Sequence, residues 1–316
     1  MAAQVQAPTR EYRTATMDSR RWEGYAPRPD DIIVATYPKC GTTWTQRIVD
    51  LLVFQSAAPR QFGAASPWLD ATFFAPVEVD LATIEAQTQR RCVKSHMPLD
   101  ALPVYEGVKV IHTARDGRDA CLSMHNHLLG FLPHMGARIA ENAVAEGAPV
   151  PARLATPEHP RDFFLQWMDG AEADDVGPEL PFCEFEQTYW RRRREPWLLL
   201  VHYSDLKADL AGEMRRISDY LEIDTPASLL PELVEAARFE TMKSQGDELL
   251  PQLRMAFDRG ADRFLHQGLN GRWKDVLTPD DLARYDTLIR RKLSTSMAAW
   301  IEHGRLGAGD PSTLAD

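Results

Sequence analysis

Thirteen residues, Ile32-Ile33-Val34-Ala35-Thr36-Tyr37-Pro38-Lys39-Cys40-Gly41-Thr42-Thr43-Trp44, constrain the chain more than any others. The β-branched run reads as a strand covered on both faces. After it the period changes. Trp44, Ile48 and Leu51 or Leu52 recur at helical spacing, which puts Lys39 to Thr43 between the carboxyl end of a strand and the amino end of a helix. Such an end offers unpaired backbone N–H groups and the positive pole of the helix dipole. Gly41 lets the backbone close on an anion, Thr42 and Thr43 add hydroxyls, and Lys39 adds a charge. The segment is an anion cradle. It differs from the nucleoside-triphosphate loop, in which Gly-Lys-[Ser/Thr] follows an earlier glycine, because here the lysine precedes the only glycine.

Further strands are expected at 91–95, 108–114 and 197–203, beside the first at 31–37. Their alternation with helical or turn sequence predicts a three-layer α/β/α fold, with a central parallel sheet and the ligand at the strands' carboxyl ends. Helices are expected over 205–221, 228–242 and 279–302, and an aromatic, helix-like stretch runs from Asp162 to Arg191–Arg194, a run read as a solvated helix end. Residues 1–28 read as an N-terminal arm, 29–303 as a single domain and 304–316 as a tail. Between Gly130 and Pro160, Pro, Gly and Ala accumulate around one helix-like piece near 137–146. That segment is expected to be a lid or acceptor loop.

The remaining chemistry gathers at two more strand ends. Lys94 and His96 alternate onto one face at the tip of the second strand, where a neutral histidine suits proton removal and a lysine suits stabilisation of transferred oxygens. Arg115 ends the third strand, and Ser123, two turns into the next helix, can face the same phosphate. His125 and His127 are two apart on that helix and diverge by about 200°, so no metal site is expected. A net charge of −10 argues against a nucleic-acid binder. No stretch approaches a membrane span and no signal peptide is apparent, so a cytoplasmic protein without stable membrane insertion is expected. Of the widely spaced cysteines, Cys40 lies in the anion loop, where a lowered pKa is expected.

Tyr37-Pro38-Lys39-Cys40-Gly41-Thr42-Thr43-Trp44 resembles the signature loop of the cytosolic-type sulfotransferases, from which only Cys40 departs. Lys94-Ser95-His96-Met97-Pro98 resembles their Lys-Thr-His-Leu-Pro, and Arg115, Asp119 and Ser123 fit their Arg-x-x-x-Asp-x-x-x-Ser. The resemblance implies an enzyme that transfers the sulfonate of 3′-phosphoadenosine 5′-phosphosulfate (PAPS) to a hydroxyl or amine and leaves 3′-phosphoadenosine 5′-phosphate (PAP). It gives the loop, with Lys39, Cys40, Gly41, Thr42 and Thr43, to the 5′-phosphosulfate. Trp44, Tyr203, Phe239 and Met242 go to the adenine, Arg115 and Ser123 to the 3′-phosphate, His96 to the general base and Lys94 to charge stabilisation.

Two departures follow. His266-Gln267-Gly268 stands where the family has Arg-Lys-Gly. Arg238, Lys243 or Arg272 is a candidate substitute, Gly268 keeps an N–H, and protonated His266 is expected to return part of the missing charge. The family's dimer motif also breaks: Lys274 and Thr278 match, but Pro279 and Ala283 replace its Val and Glu, leaving the oligomeric state open. The acceptor is a small molecule, and Pro67, Trp68, Leu69, Phe73, Phe74, Phe131, Leu132 and Met135 suggest an apolar wall for it. Two other classes remain: a P-loop-type kinase or nucleotide-binding protein, and a PAP-binding protein without turnover.

Overall fold

In a computed structural model the protein is described over residues 3–150, 156–172 and 180–316. Parts of two sequence expectations, residues 151–155 of the 130–160 segment and 173–179 of the aromatic stretch, lie outside the described residues.

The strands are β1 (Gln4–Gln6), β2 (Ile32–Ala35), β3 (Cys92–Ser95), β4 (Val104–Tyr105), β5 (Lys109–Ala114) and β6 (Leu198–His202). Four of them form a sheet in the order β3-β2-β5-β6, every neighbouring pair parallel. Alternation explains the layers. Along β2, Ile32 and Val34 pack into one hydrophobic cluster and Ile33 and Ala35 into another, so the sheet has a core on each face. Register fixes the edge where a ligand would lie. Ala35 pairs with Ser95 and with His112, and Ala114 pairs with His202, so the segments after β2, β3, β5 and β6 leave the sheet on one side.

The N-terminal stretch is packed rather than free. β1 pairs with β4, and Tyr12, Trp22 and Tyr25 are buried in the second cluster. The arginine run is solvated in part: Arg191 and Arg194 are exposed, whereas Arg193 is buried and donates to the Pro311 and Leu314 carbonyls, and Arg194 donates to those of Ser312 and Leu314. Their charge ties down the C-terminal segment.

The longer expected helices are broken. Arg238, with extended ψ of 144°, divides 228–242 into Leu230–Ala237 and Phe239–Ser244. Asp209 accepts from the Gly212 N–H and starts a new helix inside 205–221. Ser294 caps a helix over Thr295–Ala308, ending the one at Pro279–Lys292. Short polar side chains that bond to nearby backbone are the cause at the last two breaks. The 130–160 segment contains a helix, Pro133–Ala145, with proline in its first turn. No helix among the described residues is long and apolar enough to cross a membrane.

Candidate active site

One cavity of about 1000 Å³ opens at the carboxyl edge of the sheet. Lys39, Gly41, Thr42, Thr43 and Trp44 line it from the loop after β2, Lys94 and His96 from the end of β3, Arg115 and Ser123 from beyond β5, and Tyr203 from beyond β6.

The loop is shaped by two left-handed residues, Lys39 at φ 71° and Gly41 at φ 107°. A Cβ on Gly41 would come within 2.9 Å of the Tyr203 ring, so glycine is needed for packing as well as conformation. The Thr42–Phe54 helix begins its bonding with Thr45 N–H to the Gly41 carbonyl, which leaves the N–H groups of Thr42, Thr43 and Trp44 for an anion. Lys39 completes the cradle. Burial, the Arg115 guanidinium and the Lys94 ammonium push its pKa down to about 7. Cys40 corrects the sequence reading: its side chain is fully buried in the core behind the loop, and burial together with Glu186 pushes its thiol well up. It does not line the cavity, and its N–H donates to the Tyr37 carbonyl.

His96 is held in one tautomer. Its Nδ1–H donates to the Thr36 carbonyl at 2.8 Å, so Nε2 is the free acceptor. Burial and then Lys94 and Lys39 keep its pKa well below the usual value, leaving the ring neutral. Asp70, not singled out in the sequence, organises this corner. Its wholly buried carboxylate accepts from the His96 N–H at 3.0 Å and from Trp68 Nε1 at 2.7 Å. Trp68 in turn stands edge-on to His96, ring centroids 4.9 Å apart, and carries the Lys94 ammonium 4.0 Å above its own ring. Burial lowers the Lys94 pKa to about 8 against the pull of Asp70.

At the other end Trp44 donates to the Ala237 carbonyl at 2.7 Å and meets Tyr203 edge-on at 5.2 Å. Phe239 and Met242 also line this part of the cavity, and a Cβ on Gly268 would come 2.7 Å from Phe239. Together these residues make a flat apolar slot beside the loop. Arg115 lies 4.2 Å over the Tyr203 ring and is held by the carbonyls of Lys39 and Leu269 and by Asn270 Oδ1. Asp119 accepts from the Gly271 N–H, fixing the 268–271 turn against this arginine.

His266 and Gln267 line the cavity, yet His266 does not behave as expected. Burial comes first, and then Arg272, Arg263, Lys243 and Arg259 all oppose its protonation and lower its pKa. Arg272 lines the cavity, approaches His266 Nδ1 at 3.4 Å and has no carboxylate partner among the described residues. Arg238 is paired with Glu235, and Lys243 with Asp262 and the His266 carbonyl. Of the three candidate substitutes, Arg272 is the one facing the cavity.

Trp68, Phe73, Phe74 and Phe131 line the remaining volume, with Pro67 and Met135, whereas Leu69 belongs to the core and Leu132 packs against it outside the cavity. Phe257 and Phe264, not assigned to this wall from the sequence, extend it, with Phe257 stacked 4.9 Å from Phe131. These aromatics are scattered along the chain, Phe264 standing two residues before His266, and their spacing carries no signal of a shared wall. His125 and His127 diverge as expected: His125 donates to the Pro157 carbonyl, and His127 faces Lys39.

The model of the sulfotransferase domain matches residues 29–297. A glycolipid sulfotransferase from Mycobacterium bovis is 33% identical over 94% of this chain and 95% of its own length. Sulfotransferase 1B1 of Canis lupus familiaris is 26% identical over 87% and 88%. Among solved structures, retinol dehydratase in complex with androsterone and inactive cofactor PAP aligns with a TM-score of 0.66 at 22% identity, over 87% of this chain and 84% of that one, which shows the shared fold. The chain therefore belongs to the sulfotransferase family, enzymes of sulfonate transfer to a hydroxyl, and the donor that this membership and its anion cradle call for is PAPS.

Proposed function

We propose that His96 is the general base of this transfer and that the acceptor is an amphiphile with a large apolar body. The observation that carries the first part is the tautomer: Nδ1 is committed to the Thr36 carbonyl, and a neutral Nε2 is left at the cavity. His96 Nε2 takes the proton of the acceptor hydroxyl as its oxygen attacks. Lys39 and Lys94 hold charge on the transferred oxygens. The residues present fit PAPS. Thr42, Thr43 and Trp44 N–H groups with Lys39 would hold its phosphosulfate, Trp44, Tyr203, Phe239 and Met242 its adenine, and Arg115, Ser123, Arg272 and the Gly268 N–H its 3′-phosphate. When bound, PAPS supplies the electrophilic sulfonate and leaves as PAP.

The aromatic walls support the second part, because a site lined by Trp68, Phe73, Phe74 and Phe131 suits an apolar body better than a bare sugar. A hydroxyl on a lipid-linked head group is the first class to assay, in keeping with the name of the mycobacterial relative. A cytoplasmic site of action accords with cysteines that are all buried and unpaired.

The test is a radiolabelled transfer assay from PAPS to a panel of glycolipids, sterols, phenols and free sugars. Turnover with amphiphiles above that with free sugars is expected. Binding of PAP with no transfer to any acceptor would favour a PAP-binding protein instead.

A further inference from the structure

His127 has no part in the chemistry above, yet it touches the donor loop. Its Nδ1 lies 3.4 Å from Lys39 Nζ, and its ring is wedged between Phe131, Phe257 and Phe264 at centroid distances of 4.8, 4.9 and 5.6 Å. Lys39 itself lies 4.4 Å over the Phe264 ring and makes no ion pair with a carboxylate among the described residues. Its backbone is pinned, because Arg115 donates to its carbonyl. Only the side chain is free to move.

We propose that His127 is a positioning residue for Lys39: its Nδ1 accepts from the loop amine, holds it between the donor loop and the acceptor wall, and gives it up when an anionic donor group arrives. The inference rests on the assignment of the loop to the donor.

A lysine surrounded by aromatic rings loses hydration, which disfavours its charged form. An imidazole nitrogen restores one acceptor without adding a negative charge that would compete with the donor. The charged and titratable groups acting on this amine are Arg115 and Lys94, both opposing its protonation, Cys40, whose thiol lies behind the loop and stays protonated, the neutral His96, and His127. His127 faces Lys39, Lys94 and His96, and burial with these neighbours holds it neutral. Accepting at Nδ1 requires the proton on Nε2, the tautomer opposite to that of His96.

The sign follows. Lys39 is part-deprotonated near pH 7 in the free protein. A polyanion raises its pKa, so donor binding takes up protons, most strongly just above the free pKa. Removing the acceptor lowers the free pKa and moves the uptake to lower pH.

The experiment is calorimetric titration of the full chain with PAP from pH 5.5 to 9, in paired buffers of different ionisation enthalpy, so that proton uptake is read directly. For His127→Phe the pH of maximal uptake is expected to fall by about half a unit or more, while His127→Asn, which can keep an acceptor near Nδ1, stays close to wild type. Should His127→Phe not fold, His127→Met carries the same expectation. An uptake profile in the apolar variant that superimposes on wild type overturns the inference. Failure of wild type to bind PAP at all overturns the donor assignment beneath it.

Discussion

The edge of the sheet and the collar of short helices over 239–272 hold the two ends of the proposed donor site, and they are built differently. At the sheet edge, Lys39, His96 and Arg115 follow directly from parallel strands whose register is set by backbone bonds and a core on each face. In the collar, elements such as Phe239–Ser244, Gly246–Leu249 and Gly260–Phe264 hold cations that are mostly paired off with carboxylates: Lys243 and Arg259 with Asp262, and Arg254 with Asp247. The edge is intolerant of change because each side chain is placed by backbone. The collar can exchange one cation for another, and the proposed role of Arg272 beside His266 would be such an exchange.

The largest effect is expected at the edge. His96→Ala should reduce transfer by about 10²–10⁴-fold while PAP affinity, read by calorimetry, stays within threefold. A rate within threefold of wild type would remove His96 as the base. Gly41→Ala comes next, since an Ala at φ 107° costs about 1–2 kcal/mol and its Cβ meets Tyr203. PAP affinity should fall at least about tenfold. An unchanged dissociation constant would mean that the loop does not close on the nucleotide.

The 3′-phosphate end sharpens the contrast, with Arg115 from the edge and Arg272 from the collar. Arg115→Ala and Arg272→Ala should each weaken PAP by about 1.5–3 kcal/mol and adenosine 5′-phosphate much less, because a charge-assisted bond to the 3′-phosphate is lost. Equal losses for both nucleotides would take that residue out of 3′ recognition. The smallest effect is expected for Arg238→Ala, whose guanidinium is exposed and paired with Glu235. Its PAP affinity should change less than about twofold, and a tenfold loss would show that the collar rearranges on binding. PAP affinity should also fall as pH rises from 6 to 9, as Lys39 at about 7 and Lys94 at about 8 lose their protons, and a profile flat across that range would contradict their contact with the anion.

The same contrast governs what could be read from the chain. A strand followed by Gly41 and a helical period carries its geometry locally, so the loop, the parallel sheet and the pair Lys94 and His96 were legible. Asp70 was not, because its partners are the His96 backbone and the Trp22 and Trp68 indoles, and nothing in the sequence pairs them. Cys40 was misread for a related reason. Residues in a tight loop alternate between ligand and core, and its immediate neighbour Gly41 faces the cavity while its own thiol faces Glu186. His266 looked like a charge donor by position, but Arg259, Arg263 and Arg272 close by in the chain, together with Lys243, crowd it in the fold.

A crystal structure with PAP bound tests the central division most directly. The expected density has the 5′-phosphate on the N–H groups of Thr42, Thr43 and Trp44, the adenine between Trp44 and Phe239, and the 3′-phosphate within hydrogen-bond distance of Arg115, Ser123 and Arg272. A 3′-phosphate held by His266 and Lys243 with Arg272 turned away, or a 5′-phosphate that does not touch the loop, would contradict it.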